Sequence, residues 1–368
     1  MKPLEGLRLL TVEHFGAGPY GTMFLAGLGA EVVKIENAAT GGDASRHVGP
    51  HLLGDDDSEY FQTFNLWKKS VSLDLTQDVE KFHALVAQAD AVVNNLRGDV
   101  PGKLGLDYKS LAKINPSVVC LHISAYGRDN ERAPWPGYDF LMQAEAGLMD
   151  LTGEPEGAPS RFGTSIIDCM SGVTGAAALL ACVLRAQRTG KGCDVDLSLF
   201  DVALHQLTYM GTWYLNGGEA SSRQPRSAHY SLTPVQTFPT ADGWIFVMCM
   251  KDSFWHSLVE ALSRSELGAD ARFATMTARL AHRAELTAIL DAEFRKRPSA
   301  EWLERLSGRL PVGPVNGMRA ALESPFVAAT GMIHSIEHPE KPGLRMLTLP
   351  VKIDGERPQP VACEPLKK

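Results

Sequence analysis

The chain reads as an α/β protein: a large domain with a parallel sheet covered by helices, accompanied by a smaller α+β domain. Three observations predict this. Short Val/Ile/Leu-rich runs alternate with helix-patterned segments through the first part of the chain, which is the rhythm of β-α-β units. The connections between these segments are mostly short. The rhythm then breaks at 217–235, a polar stretch without apolar period, and amphipathic segments of another character follow.

Residues 7–12 (LRLLTV) read as a buried strand, followed by a Gly/Pro turn, a helix over 19–29 and a second strand over 31–36 (EVVKIE). After a polar loop at 38–58, a short strand is expected at 70–74. Helix 78–88, strand 90–94, helix 108–114 and strand 118–124 continue the alternation. Residues 137–150 and 169–188 look helical, and TGEPEGAPSRFGTS between them is a loop by composition. Strand 193–199 and helix 200–216 close the first unit. Beyond the break lie a hairpin around Ala241-Asp242-Gly243 and helices near 253–263, 284–295 and 299–307. The strand-like ending 344–353 suggests a return to the first domain. The expected division is 1–216 for the large domain, 217–330 for linker and small domain, and 331–368 for the C-terminal return.

The 368 residues carry a formal charge of -7, which provides no general attraction to nucleic acid or anionic membrane. Neither partner is expected. Six cysteines lack CxxC spacing, so neither a disulfide frame nor a metal site is expected. The N-terminal segment MKPLEGLRLLTV has no signal-peptide pattern. The apolar helix near 172–184 looks too short and too rich in Ala and Gly to span a membrane. A soluble cytoplasmic protein is the expectation.

Residues 16–21 (GAGPYG) match G-x-G-x-x-G between a strand and a helix, with Glu36 ending the next strand. The pattern fits a dinucleotide site, another phosphate-bearing ligand, or a turn whose glycines are purely steric. No hydride-transfer site is visible downstream, which disfavours an NAD-dependent oxidoreductase.

A longer series of segments carries a resemblance. It comprises LEGLRLL at 4–10, AGP at 17–19, LAGLGAEVVKIE at 25–36, GGD at 41–43 with Arg46, and NLWKKSVSLDL at 65–75. It continues with ADAVVNNLRGDVPGKLGLDYKSLAKINPSVV at 89–119, ISAYG at 123–127 and PGYDFLMQAEAGLMDLTG at 136–153. It closes with Asp168 and RTGKGCDVDLSLFD at 188–201. Together these resemble the CoA-transferase family III proteins, typified by formyl-CoA:oxalate and carnitine CoA-transferases. DGW at 242–244 and PVGPVN at 311–316 extend the resemblance more loosely.

The resemblance implies a Rossmann-like large domain completed by the returning C-terminus, an interlocked homodimer, and transfer of CoA between an acyl-CoA and a carboxylic acid. CoA is then a substrate, and no tightly bound cofactor is implied. The family nucleophile aligns with Asp168 in GTSIIDCMSG. A carboxylate can attack a thioester and form a mixed anhydride, which retains the activation through the exchange. By its residues alone Asp168 also reads as a helix N-cap, and a helix start there would hold it ionised. Tyr138 and Asp139 align with positions lining the family's active site, although both also suit a helix start. Arg46, Lys68, Lys69, Arg97 and Lys103 are candidates for the CoA phosphates. No oxyanion donor is evident.

The chain also departs from its relatives. Asn37 follows Glu36 where formyl-CoA transferases carry a basic residue, no tetraglycine run is present, and Gly16 replaces a glutamine. Formyl-CoA and oxalate are therefore disfavoured as the natural pair, and Gly16 would leave room for a larger acyl or acid group. Related α-methylacyl-CoA racemases, the alternative reading, use a histidine in GHD, where this chain has Tyr138 in GYD. Tyrosine is a poor base at neutral pH, and nothing in the sequence places His122 or His229 beside Asp168. Arg223, Arg226 or His229 could hold the far carboxylate of a dicarboxylic acid.

Overall fold

The computed structural model describes residues 2–366 and separates the chain into two compact units. The first comprises Met1–Leu148, Phe162–Thr208 and Pro325–Lys368; the second comprises Met149–Arg161 and Tyr209–Ser324.

The first unit is built on six parallel strands: β1 Arg8–Val12, β2 Glu31–Glu36, β3 Lys69–Ser72, β4 Ala91–Asn94, β5 Val119–Ser124 and β6 Cys193–Ser198. Their order is β3-β2-β1-β4-β5-β6, the doubly wound order of Rossmann sheets. The helices of this unit are α1 Ala17–Gly27, α2 Glu59–Asn65, α3 Val79–Val86, α4 Tyr108–Leu111, α5 Asp139–Glu145, α6 Ile166–Thr189, α7 Leu199–His205 and a short one at Pro325–Thr330, while α8 Thr208–Gly217 lies in the second unit but for its first residue.

Strand alternation divides the core between two faces of the sheet. Leu9, Val32, Val93 and Leu121 meet Leu25 of α1 and Ile167, Leu179 and Val183 of α6. Leu10, Val33, Val92 and Cys120 meet Phe82 and Val86 of α3 and Leu111 of α4. Each such fully buried aliphatic side chain contributes roughly 1.5–3 kcal/mol.

Helices α1 and α6 touch through glycine. A Cβ on Gly21 would lie 2.7 Å from the carbonyl carbon of Gly172, and one on Gly172 would lie 2.7 Å from the Gly21 nitrogen. The third glycine of GAGPYG therefore serves helix packing.

Several elements differ from expectation. Ser58, the last residue of the expected loop 38–58, caps α2, a helix not among the expected elements; its Oγ accepts from Phe61 N at 2.9 Å. The expected helix 200–216 breaks into α7 and α8 at Thr208, whose φ is 50°. Helix α6 has 24 residues and is long and apolar enough to cross a membrane by length and composition, unlike the short segment expected. Of the ending 344–353, only β11 Leu344–Leu347 is a regular strand. It pairs antiparallel with β10 Ile333–Ile336 in a separate two-stranded sheet. That sheet packs Ile336, Leu344 and Met346 against Met23 and Leu66. The chain end is fastened by Trp67 N to Val361 O at 2.8 Å and by Gln62 to both main-chain groups of Cys363.

The second unit holds an antiparallel sheet of β7 Val235–Pro239, β8 Trp244–Met248 and β9 Val312–Pro314, with the anticipated hairpin joining the first two. Helices Asp252–Ala261, Arg283–Phe294 and Ser299–Leu306 cover a core that includes Phe238, Trp255, Leu290, Phe294 and Trp302.

Candidate active site

The strand order reverses at β1, which lies between β2 and β4. Ligands of doubly wound sheets bind beyond the carboxyl ends of the strands at such a point. A cavity of about 380 Å³ lies there. His14, Phe15 and Gly16 reach it from β1, Asn95, Leu96 and Arg97 from β4, Ser124 and Ala125 from β5, and Leu199 from β6. Trp135, Tyr138 and Asp168 complete much of the wall.

Asp168 occupies the first turn of α6. It is not the cap of that helix, a position taken by Ser165 without a side-chain hydrogen bond. Its amide donates to Oδ2 of Asp139 at 2.9 Å, while no described residue donates a hydrogen bond to its carboxylate. Burial, reinforced by the charge of Asp139, pushes the Asp168 carboxyl up to about 7. The helix dipole acts in the opposite sense and is outweighed, so the expectation of a firmly ionised group is corrected.

Gly16 stands against this carboxyl: a Cβ there would come 3.0 Å from Asp168 Cγ. The space expected to admit a larger substrate is filled by Asp168 itself. Tyr138 is 65% exposed, lines the cavity and meets Phe15 edge-on at 6.2 Å between ring centroids. Asp139, placed at the cavity wall by the sequence, is instead buried beneath it. One of its oxygens accepts from Asp168 N and the other from Gln143 Nε2 at 2.5 Å.

The basic candidates separate. Arg97 lines the cavity, and both it and Lys103 lie beside Asp99, at 3.1 and 2.6 Å, with exposed side chains. Arg46 is buried, giving Nε and Nη2 to Glu36 at 2.9 and 2.8 Å. Lys68 is buried too, bonded to Glu13 at 2.7 Å and to Pro19 O at 2.9 Å. Burial lowers its ammonium to about 8, against the pull of Glu13. Neither presents a cation to a phosphate, because each is consumed by a buried carboxylate. Lys69 reaches Glu31 at the start of β2, the strand end remote from the cavity.

Glu36, the carboxylate a ribose would need, also accepts from Ser70 Oγ at 2.6 Å and Asp43 N at 2.8 Å. It is saturated by protein donors, which removes the main support for a dinucleotide site.

His122 lies buried between Asn94 and Asp194, each at 2.8 Å, on the α3 and α4 face of the sheet. The histidine that lines the cavity is His14, which the sequence reading passed over. Arg223, Arg226 and His229 belong to the second unit. Arg223 Nη1 donates to the carbonyls of Glu154, Gly157 and Ala158, and Arg226 forms an ion pair with Asp291. Both guanidinium groups are therefore occupied within that unit. Among the described residues, no group of three or more His, Cys, Asp or Glu side chains could hold a metal ion.

A helix-borne carboxylate at the switch point of a parallel sheet is the arrangement anticipated for acyl transfer from CoA. The family model described as CoA-transferase family III matches residues 4–366. The chain belongs to CoA-transferase family III. It is 32% identical to the succinate–glutarate CoA-transferase of Agrobacterium fabrum, over 97% of this chain and 92% of that protein. It is 33% identical to the acetyl-CoA:oxalate CoA-transferase of Acetobacter aceti, over 96% and 90%. A CaiB/BaiF family protein from Brucella suis superposes with a TM-score of 0.85 at 33% identity, covering 99% of this chain and 96% of that one. As a member of this family the chain is a CoA-transferase.

Among the cavity residues missed in the sequence, His14, Phe15, Asn95, Leu96 and Ala125 lie just beyond strand ends. Predicted strand termini alone could have flagged those residues.

Proposed function

We propose that Asp168 carries the acyl group covalently. Its carboxylate attacks the thioester carbonyl, the C–S bond breaks, and CoA leaves as thiolate from a mixed anhydride. The thiolate attacks the aspartyl carbonyl, giving an aspartyl-CoA thioester and releasing the first acid as its carboxylate. The acceptor carboxylate attacks that thioester, and the returning thiolate takes the new acyl group and restores Asp168. The observation that carries this reading is Asp168 itself, a carboxyl to which no described residue donates a hydrogen bond, facing a cavity at the switch point.

The remaining parts follow from the same geometry. Helix α1 opens on the cavity with Gly16 and Ala17, and the unpaired N–H groups of a first helical turn supply oxyanion donors. Arg97 and Lys103 are the cations for the CoA phosphates. The acids are short dicarboxylates, in keeping with relatives named for succinate, glutarate and oxalate. The protein works as an interlocked homodimer in the cytoplasm. The apolar residues that α6 leaves exposed, Val173 and Leu184, support a partner subunit over that helix.

Incubation with succinyl-CoA followed by intact-mass measurement tests the reading. A succinyl or CoA adduct on the native protein, absent from Asp168→Ala, is expected. His14 on the same wall favours one second reading, proton exchange at the thioester α-carbon. Deuterium incorporation without any adduct would replace transfer by that chemistry.

A further inference from the structure

We infer that Asn95 is a positioning residue for Asp168, acting through the main chain of His14, Phe15 and Gly16. Asn95 Oδ1 accepts from His14 N at 2.8 Å, and its Nδ2 donates to His14 O at 2.7 Å. Both main-chain groups of one residue are thus held by one side chain from the end of the neighbouring strand. Asn95 also seats the first turn of α1, where a Cβ on Gly18 would lie 3.1 Å from Asn95 Cβ.

The clamp has something to hold. Phe15 has φ 59°, a left-handed conformation that is costly for a residue with a Cβ and persists only where its surroundings fix it. Its amide is also 3.3 Å from Asp43 Oδ1. Gly16 follows directly and forms the surface against the Asp168 carboxyl. Releasing His14 lets Phe15 relax, moves Gly16 off that carboxyl and admits water to it. Asn95 touches no reacting atom in this scheme; it sets the dryness and placement of the group that does.

The inference rests on Asp168 as the nucleophile, so its test carries a readout independent of turnover. Asn115 is the control: its Nδ2 clamps Val86 O and Ala89 O at 3.1 and 2.8 Å, and it does not line the cavity. The pH dependence of Tm is measured for the native protein, N95A and N115A, each against its own D168N partner. Asp139 from α5, Tyr60 from α2, Cys169 beside Asp168, and His14 and Arg97 in the wall are the groups facing Asp168. All of them are retained in every variant.

In the native background the stability gap to D168N should level off near pH 7. In N95A it should level at least about one pH unit lower, as hydration returns the carboxyl toward its ordinary range. Adduct formation from succinyl-CoA should slow by about tenfold or more. N115A should lose Tm with both readouts unchanged. Asn95→Ser, which keeps a smaller polar group, serves if N95A folds poorly, with the same shift expected. An unchanged levelling point in N95A or N95S overturns the inference. A shifted point in a protein that forms no adduct upholds the clamp and refutes the nucleophile assignment instead.

Discussion

The amide of Asp168 donates a 2.9 Å hydrogen bond to Oδ2 of Asp139, so the start of α6 is tethered by a second acid that opposes ionisation of the first. Asp139→Asn removes the charge and retains an oxygen acceptor for the tether. The ascending limb of kcat/KM against pH should move down by about one unit. A limb unchanged in position would show that burial alone sets it.

Asp168 also links pH to stability. Its folded carboxyl, pushed up to about 7 by burial and Asp139, lies above its unfolded value near 4. A raised group favours the folded state below the unfolded value, and that contribution is lost as pH rises through the folded one. Relative to Asp168→Asn, the native protein should therefore lose roughly 2–4 kcal/mol between about pH 4 and 7 and then level off. Differential scanning calorimetry of both proteins reads this directly, and parallel curves would contradict it.

Gly16→Ala places a methyl where the Asp168 carboxyl now sits. The backbone tolerates it, since φ is -102°. The expected loss is about 100-fold or more in kcat/KM, with a stability cost of roughly 1–3 kcal/mol for the displaced carboxyl. Near-native kinetics would mean that Asp168 acts from another position.

Arg97→Ala should raise KM for the acyl-CoA several-fold while leaving KM for the free acid unchanged. Lys69→Ala, at the opposite strand end, should leave both alone. Initial-rate measurements with each substrate varied in turn separate these outcomes.

Arg226→Ala should affect mono- and dicarboxylic acids equally, because Arg226 is committed to Asp291. Its consequence should be a Tm lower by a few degrees. A KM increase confined to dicarboxylates would return Arg226 to the list of substrate ligands.

The sheet was legible in the sequence because its central strands β1, β2, β4 and β5 are almost wholly buried and rich in Val, Ile and Leu. β1, β2, β4, β5 and β6 fall within a residue or so of their expected bounds. Asp168 was legible only through the family resemblance, since a lone carboxylate at a helix start has an ordinary capping use. Arg46 and Lys68 misled because a basic residue in a matching segment has the same appearance whether it meets a phosphate or a buried Glu. Only three-dimensional pairing with Glu36 and Glu13 separates the two. The break at Thr208 and the detached β10–β11 pair depend on a local φ and on tertiary partners, neither of which has a periodic signal.

Where Gly21 meets Gly172, main chain rests on main chain with no side chain between. A spacing set that way has no rotamers, so substitutions elsewhere in the core cannot retune it by repacking. It works as a fixed gauge, five residues along α1 from Gly16 and four along α6 from Asp168. Sequence change can then reshape the cavity walls for new acids while the interval between the glycine and the carboxylate is inherited unaltered.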